Sequence, residues 1–116
     1  MKYLFLLFII CCGHAYGQAT DSIRLNNAVL YYYSYGKGDP IVILSGGPGV
    51  ASHQEDDVAA RLALHYRVIL FDQRGTGRSW TKPLDSTTIN VDRAIEDLEL
   101  LRKQLGIDKM SLYGHS

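Results

Sequence analysis

Cysteine is almost missing from this sequence: the two present, Cys11 and Cys12, both fall within residues 1–17. Without that stretch the chain has no thiol nucleophile and no disulfide, so in an oxidising compartment its core alone must hold it. Net charge is missing too. Twelve basic side chains balance twelve acidic ones, which gives no electrostatic reason to expect nucleic acid as a partner. A membrane-spanning run is not found either, because the unbroken apolar stretch Tyr3–Cys12 is too short to cross a bilayer as a helix. No internal repeat, low-complexity linker or second domain is legible, and 116 residues make one domain or part of one.

What is there begins with a leader. Lys2 is the only charge before Asp21, the apolar run follows it, and Ala15-Tyr16-Gly17 puts small residues at the two positions a signal peptidase reads. Residues 1–17 are therefore expected to be a signal peptide cut after Gly17, with a second candidate cut after Ala19. The protein would then be secreted or periplasmic, with no stable membrane anchor once the signal is removed. A lipoprotein alternative rests on Cys11 and Cys12, but Ile10 or Cys11 precedes them where a small residue is expected.

Residues 18–116 form the rest. Ser22–Leu25 and Val29–Tyr33, separated by Asn26-Asn27, predict an antiparallel hairpin. Its tyrosines are read as fitting a half-buried pleated surface, not as a stacking platform. Ile41–Leu44 and Arg67–Phe71 show little alternation, as expected of strands buried on both faces of a parallel sheet. Ser52–Leu64 predicts a helix, with Ser52 as N-cap and Glu55 completing a capping box. Trp80–Ile89 is read as irregular. From Asn90 a second helix is expected, with Val91, Ala94, Ile95, Leu98, Leu101 and Leu105 on one face and Gly106 as its stop. Lys109–Tyr113 reads as a third buried strand. Hairpin followed by strand–helix–strand–helix–strand predicts an α/β fold, a doubly wound, mostly parallel sheet with an N-terminal antiparallel hairpin.

The third strand runs into Gly114-His115-Ser116. Strand then Gly-x-Ser is the first half of the nucleophile elbow G-x-S-x-G, in which a tight strand-to-helix turn presents a serine hydroxyl above the end of a sheet. Two further loops also leave the carboxyl ends of predicted strands, where α/β sheets bind ligands. One is Ser45-Gly46-Gly47-Pro48-Gly49, almost devoid of side chains; the other is Asp72-Gln73-Arg74-Gly75-Thr76-Gly77-Arg78-Ser79. If the 41–44 strand lies between the other two, Gly47 and Ser116 leave adjacent strands about 4.8 Å apart. A backbone N–H near Gly47 could then face a carbonyl attacked by Ser116, as an oxyanion donor worth about 3 kcal/mol.

Together these three motifs resemble the α/β-hydrolase family, and most closely its proline iminopeptidase-like group. The resemblance covers nearly all of residues 18–116 but less than half of such an enzyme. It implies that Ser116 is the nucleophile and that Gly47 supplies one oxyanion N–H. Gly46, Pro48, Gly49, Asp72, Gln73, Arg74, Gly75, Gly77, Ser79, Gly114 and His115 would shape the site. It implies an acyl-enzyme hydrolase of small molecules or short peptides, a peptidase releasing N-terminal residues or else an esterase or other amidase, with no metal or cofactor. Ser45 departs from the family's usual histidine, a change that bears on loop rigidity. The order nucleophile, acid, histidine puts the acid and base after position 116, so the chain as given is expected to be inactive by itself.

The histidines present do not supply the base. His14 lies in the leader, His53 and His65 in or after the first helix, and His115 within the elbow. Asp72 is read as a turn anchor. A dinucleotide-binding unit is a rival for the 41–72 segment, but Ser52 stands where a third glycine is needed and Pro48 removes a loop amide. A non-catalytic truncated or split hydrolase, serving as a binding module or left as a dead product, is the other rival. Oligomeric state is not legible.

Overall fold

The structure, a computed structural model, describes residues 18–47 and 49–115. Residues 1–17, Pro48 and Ser116 lie outside the described residues, and with them the signal-peptide expectation and the roles expected of Pro48 and Ser116.

The hairpin forms from β1 (Ala19–Arg24) and β2 (Ala28–Tyr35), both longer than the sequence suggests. Ile23 pairs with Leu30 and Ser22 with Tyr31. The Leu25 N–H donates to the Ala28 carbonyl at 2.8 Å and closes the Asn26-Asn27 turn. After β3 (Pro40–Leu44) comes a 3-10 turn, Ser52–Glu55, and then α1 (Asp56–Leu62). β4 (Arg67–Phe71) follows as expected. A short β5 (Trp80–Thr81) pairs with the start of β2, inside the stretch read as irregular. Two residues carry too little pattern to be read from sequence, and Trp80 is fixed there by its pairing with Val29.

α2 (Val91–Gln104) starts at Asn90, whose side-chain oxygen accepts the Arg93 N–H. It stops at Gly106, which takes a φ of +64° that L side chains resist. β6 (Ser111–Gly114) closes the described chain.

The sheet order is β1-β2-β4-β3-β6, with β5 attached to β2. β3 runs parallel to both β4 and β6, and β2 runs antiparallel to β4. The chain therefore steps one way from β3 to β4 through α1, then back across β3 to β6 through α2. Alternate side chains go to opposite faces of the central strands. Val42, Ile69 and Phe71 join Leu30, Tyr32 and Leu101 under α2, whereas Ile43, Val68 and Leu70 join Ala59, Tyr33 and Tyr35 under α1. Covering both faces is why β3 and β4 read as apolar runs without alternation. Each fully buried aliphatic side chain contributes about 1.5–3 kcal/mol of transfer free energy.

Three expectations need correction. Ser52 does not cap α1, which begins at Asp56 with no side-chain cap on its first turn; the Ser52 hydroxyl is drawn instead to Asp72. β6 is exposed along its length, with Leu112 54% exposed, because it has one neighbouring strand among the described residues. On α2 the apolar stripe is only partly covered: Leu101 is buried, but Val91 and Ile95 are 73% and 61% exposed.

Candidate active site

The carboxyl ends of β3, β4 and β6 lie side by side, with Leu44 paired to Phe71 on one side and to Gly114 on the other. All three loops singled out in the sequence thus emerge at one edge of the sheet. Gly47, three positions past Leu44, and His115, next after Gly114, line the same cleft of about 560 Å3, with Ser45, Gln73, Arg74 and Asp97 also in its wall.

Asp72 organises this edge. Its side chain is buried and saturated with donors. Oδ1 accepts the Ser52 N–H at 3.0 Å and the Ser52 hydroxyl at 2.7 Å; Oδ2 accepts the Arg78 N–H at 3.1 Å and the Tyr33 hydroxyl at 3.2 Å. The Tyr33 phenol is in turn pushed above its ordinary range, first by burial and then by the Asp72 charge. Four donors occupy about all the lone-pair capacity of a carboxylate, so Asp72 binds two loops together and has no vacant site from which to act as a base.

The rest of the 72–79 loop is built around the same residue. The Asp72 carbonyl accepts the Ser79 hydroxyl at 2.6 Å, and that hydroxyl oxygen accepts the Tyr31 N–H at 2.8 Å. Gly77 takes φ +50°, and a Cβ there would land on the Asp72 carboxylate. The glycine is needed for close approach as well as for its backbone angle. Gln73 reaches across to the glycine loop, its Nε2 donating to the Ser45 carbonyl at 3.1 Å. The Ser45 hydroxyl donates to the Val50 carbonyl and bridges the loop from within. A serine here thus supplies a tie of its own across the glycine segment. Gly46 sits in the bend after Ser45, Gly49 has φ +101°, and Gly75 lies against Leu84.

Arg74 points the other way, to a partner the sequence reading missed. Its Nε and Nη2 make a bidentate pair with Asp97 of α2 at 2.7 and 2.9 Å, and Nη1 reaches the Thr81 hydroxyl of β5 at 3.4 Å. Arg74 and Asp97 are nearly or wholly buried, and the hydrogen bond to Asp97 holds the guanidinium above its ordinary range. The signal was present: Asp97 is three residues after Ala94 and four before Leu101, so helical spacing places a carboxylate inside the apolar stripe. A charge there needs a partner, because burying one alone is costly.

Gly47 takes φ +57°, is exposed, and has nothing within 4 Å of where its Cβ would stand. His115 Nδ1 lies 4.0 Å from Glu55 Oε1. His65 packs its backbone against Gly38 in the turn entering β3, the opposite end of the sheet. His53 is exposed on the 3-10 turn. Among the described residues no three His, Cys, Asp or Glu side chains converge as metal ligands. The end of β3 thus carries an exposed glycine, Gly47, on the strand that pairs with Gly114.

Comparison with known proteins gives the same outline. Residues 39–116 match the model of the family described as alpha/beta hydrolase fold. A proline iminopeptidase of Heyndrickxia coagulans is 40% identical over 81 residues, covering 70% of this chain and 27% of that protein. One from Saccharolobus solfataricus is 37% identical over 114 residues, covering 94% of this chain and 36% of that protein. The chain thus spans only about a third of these relatives. Among solved structures, a proline iminopeptidase-related protein from Thermus thermophilus aligns with a TM-score of 0.77 at 32% identity, covering 85% of this chain and 36% of that one. A Vigna radiata epoxide hydrolase mutant aligns with a TM-score of 0.71 at 22% identity over 85% of this chain and 31% of its own, a likeness of fold alone.

Proposed function

Because the chain belongs to the alpha/beta hydrolase fold family, we propose that it is the nucleophile-bearing part of a serine hydrolase of the proline iminopeptidase type. The observation that carries this reading is the parallel pairing of Leu44 with Gly114. It sets the glycine loop and Gly114, two residues before Ser116 in the sequence, on neighbouring strands, which supports attack by Ser116 on an acyl carbon held at that loop. The likeness to proline iminopeptidases at 37–40% identity supports the substrate class.

In this mechanism Ser116 Oγ attacks the carbonyl carbon of an N-terminal residue while a histidine base takes its proton. The Gly47 N–H stabilises the oxyanion, one such donor being worth about 3 kcal/mol. The base returns the proton to the leaving amine, and water then cleaves the acyl-enzyme by the same steps in reverse roles. Acid and base are contributed by sequence outside these 116 residues, so residues 18–116 alone do not turn over. The substrate is a short peptide or small amide, and no cofactor takes part. The leader exports the protein and is cut after Gly17, so mass spectrometry of the exported protein should find a chain beginning at Gln18. An N-terminus at Met1 would contradict that.

The test of the activity is a substrate panel with the full-length protein: N-terminal-prolyl arylamides, other aminoacyl arylamides and simple esters. Prolyl arylamide turnover that Ser116→Ala abolishes is the expected result. Turnover surviving in the Ala variant would exclude Ser116 as nucleophile. A clear preference for esters over every arylamide would favour the esterase reading on the same fold.

A further inference from the structure

We propose that Glu55 and His115 are a positioning pair that ties the nucleophile end of β6 to the segment carrying the glycine loop. This rests on the reading of Ser116 as nucleophile. Three carboxylates stand around the strand ends, and two are fully engaged: Asp72 by four donors and Asp97 by Arg74. Glu55 is not. Its side chain is only 13% exposed, and its single charged neighbour among the described residues is the His115 imidazole, Nδ1 to Oε1 at 4.0 Å.

The connection beyond Glu55 is firm. Glu55 ends the 3-10 turn that begins at Ser52, and Ser52 is bound by both its N–H and its hydroxyl to Asp72. His115 immediately precedes Ser116 in the sequence and is 70% exposed among the described residues. A link therefore runs from the buried Asp72 through Ser52 and Glu55 to His115, the residue before the proposed nucleophile. The pair carries opposite charges only while the imidazole is protonated. At 4.0 Å it is a long-range attraction, not a hydrogen bond, and its exposure to water keeps the effect modest. Its consequence is orientation. A serine held at the loop reaches the attacking geometry more often, which raises the rate of acylation without changing substrate affinity.

The experiment uses the full-length protein in mildly acidic buffer. It follows kcat and KM separately, together with the rate of labelling by a fluorophosphonate. Glu55→Gln and His115→Gln should each lower kcat and the labelling rate about two- to fivefold, with KM unchanged within error. The double variant should be no worse than either single one, and His115→Arg, which keeps the positive charge, should restore most of the rate. Additive losses, a loss confined to KM, or rates like wild type in both single variants would overturn the pair. If Ser116→Ala still labels, the nucleophile reading has failed; if it does not label while the Glu55 and His115 variants behave as wild type, only the positioning pair has.

Discussion

The ends of β4 and β6 lie in the same sheet, one strand apart, and are held in opposite ways. β4 is flanked by β2 and β3, covered on both faces, and runs into a loop whose polar groups are bonded to named partners. β6 touches β3 alone among the described residues and is exposed along its whole length. The difference separates two jobs at one edge. Around Asp72 the chain builds a platform from its own hydrogen bonds, and that platform sets the shape of the glycine loop. At Gly114-His115, among the described residues, the chain meets one neighbouring strand and one carboxylate at 4.0 Å, that of Glu55. Catalytic sites need the first kind of region to hold donors still, since a misplaced donor loses most of its electrostatic benefit.

The comparison can be broken most severely at the Arg74–Asp97 pair. Asp97→Ala in the full-length protein should cost about 3–5 kcal/mol, because it strands a buried guanidinium; denaturant unfolding should show a lower midpoint at an unchanged slope. A loss under about 1 kcal/mol would mean that water reaches Arg74 freely. The next largest effect is expected at the hydrogen-bonded centre. Asp72→Ala leaves the two buried Ser52 donors without their acceptor, while the part-buried Tyr33 and Arg78 donors can turn to water, and should cost about 2–4 kcal/mol, with amide exchange rising at both Ser52 and Arg78.

A paired truncation sharpens the contrast directly. Ile43→Ala on β3 should cost about 2–5 kcal/mol, since Ile43 is fully buried. Leu112→Ala on β6 should cost under about 1 kcal/mol in residues 18–116 taken alone. A larger loss at Leu112 in the full-length protein would show that further chain covers β6.

The smallest effect is a pH effect. Burial, and then Asp72, raise the Tyr33 phenol above its ordinary value, so the unfolded chain ionises first as pH rises. The stabilisation is complete below about pH 10 and is lost as pH climbs through the folded value. Tyr33→Phe should flatten the alkaline decline of stability in part, because Tyr32 and Tyr35 are raised as well. An unchanged alkaline limb would remove Tyr33 from the account.

The parts legible in the sequence were those with repeated local signals. Ile41–Leu44 and Arg67–Phe71 announced a two-faced strand, Asn90 and Gly106 bracketed a helix, and the three glycine-bearing loops marked one sheet edge. What escaped depended on partners far along the chain. Ser52 looked like a helix cap because Glu55 lies three residues on, yet Asp72, twenty residues away, offered its hydroxyl a better acceptor. Asp97 was passed over because its partner sits on a loop, and β5 because two residues have no period. β6 was read as buried from its apolar residues alone, while its exposure here follows from its having one flanking strand among the described residues.

The account stands most directly on covalent trapping at Ser116. The full-length protein would be treated with a fluorophosphonate, digested, and its peptides weighed. The expected result is a single adduct, one per active site, on the peptide containing Gly114-His115-Ser116, abolished by Ser116→Ala. A fully active protein that carries the adduct on any other residue, or carries none while the probe inhibits it, would contradict it.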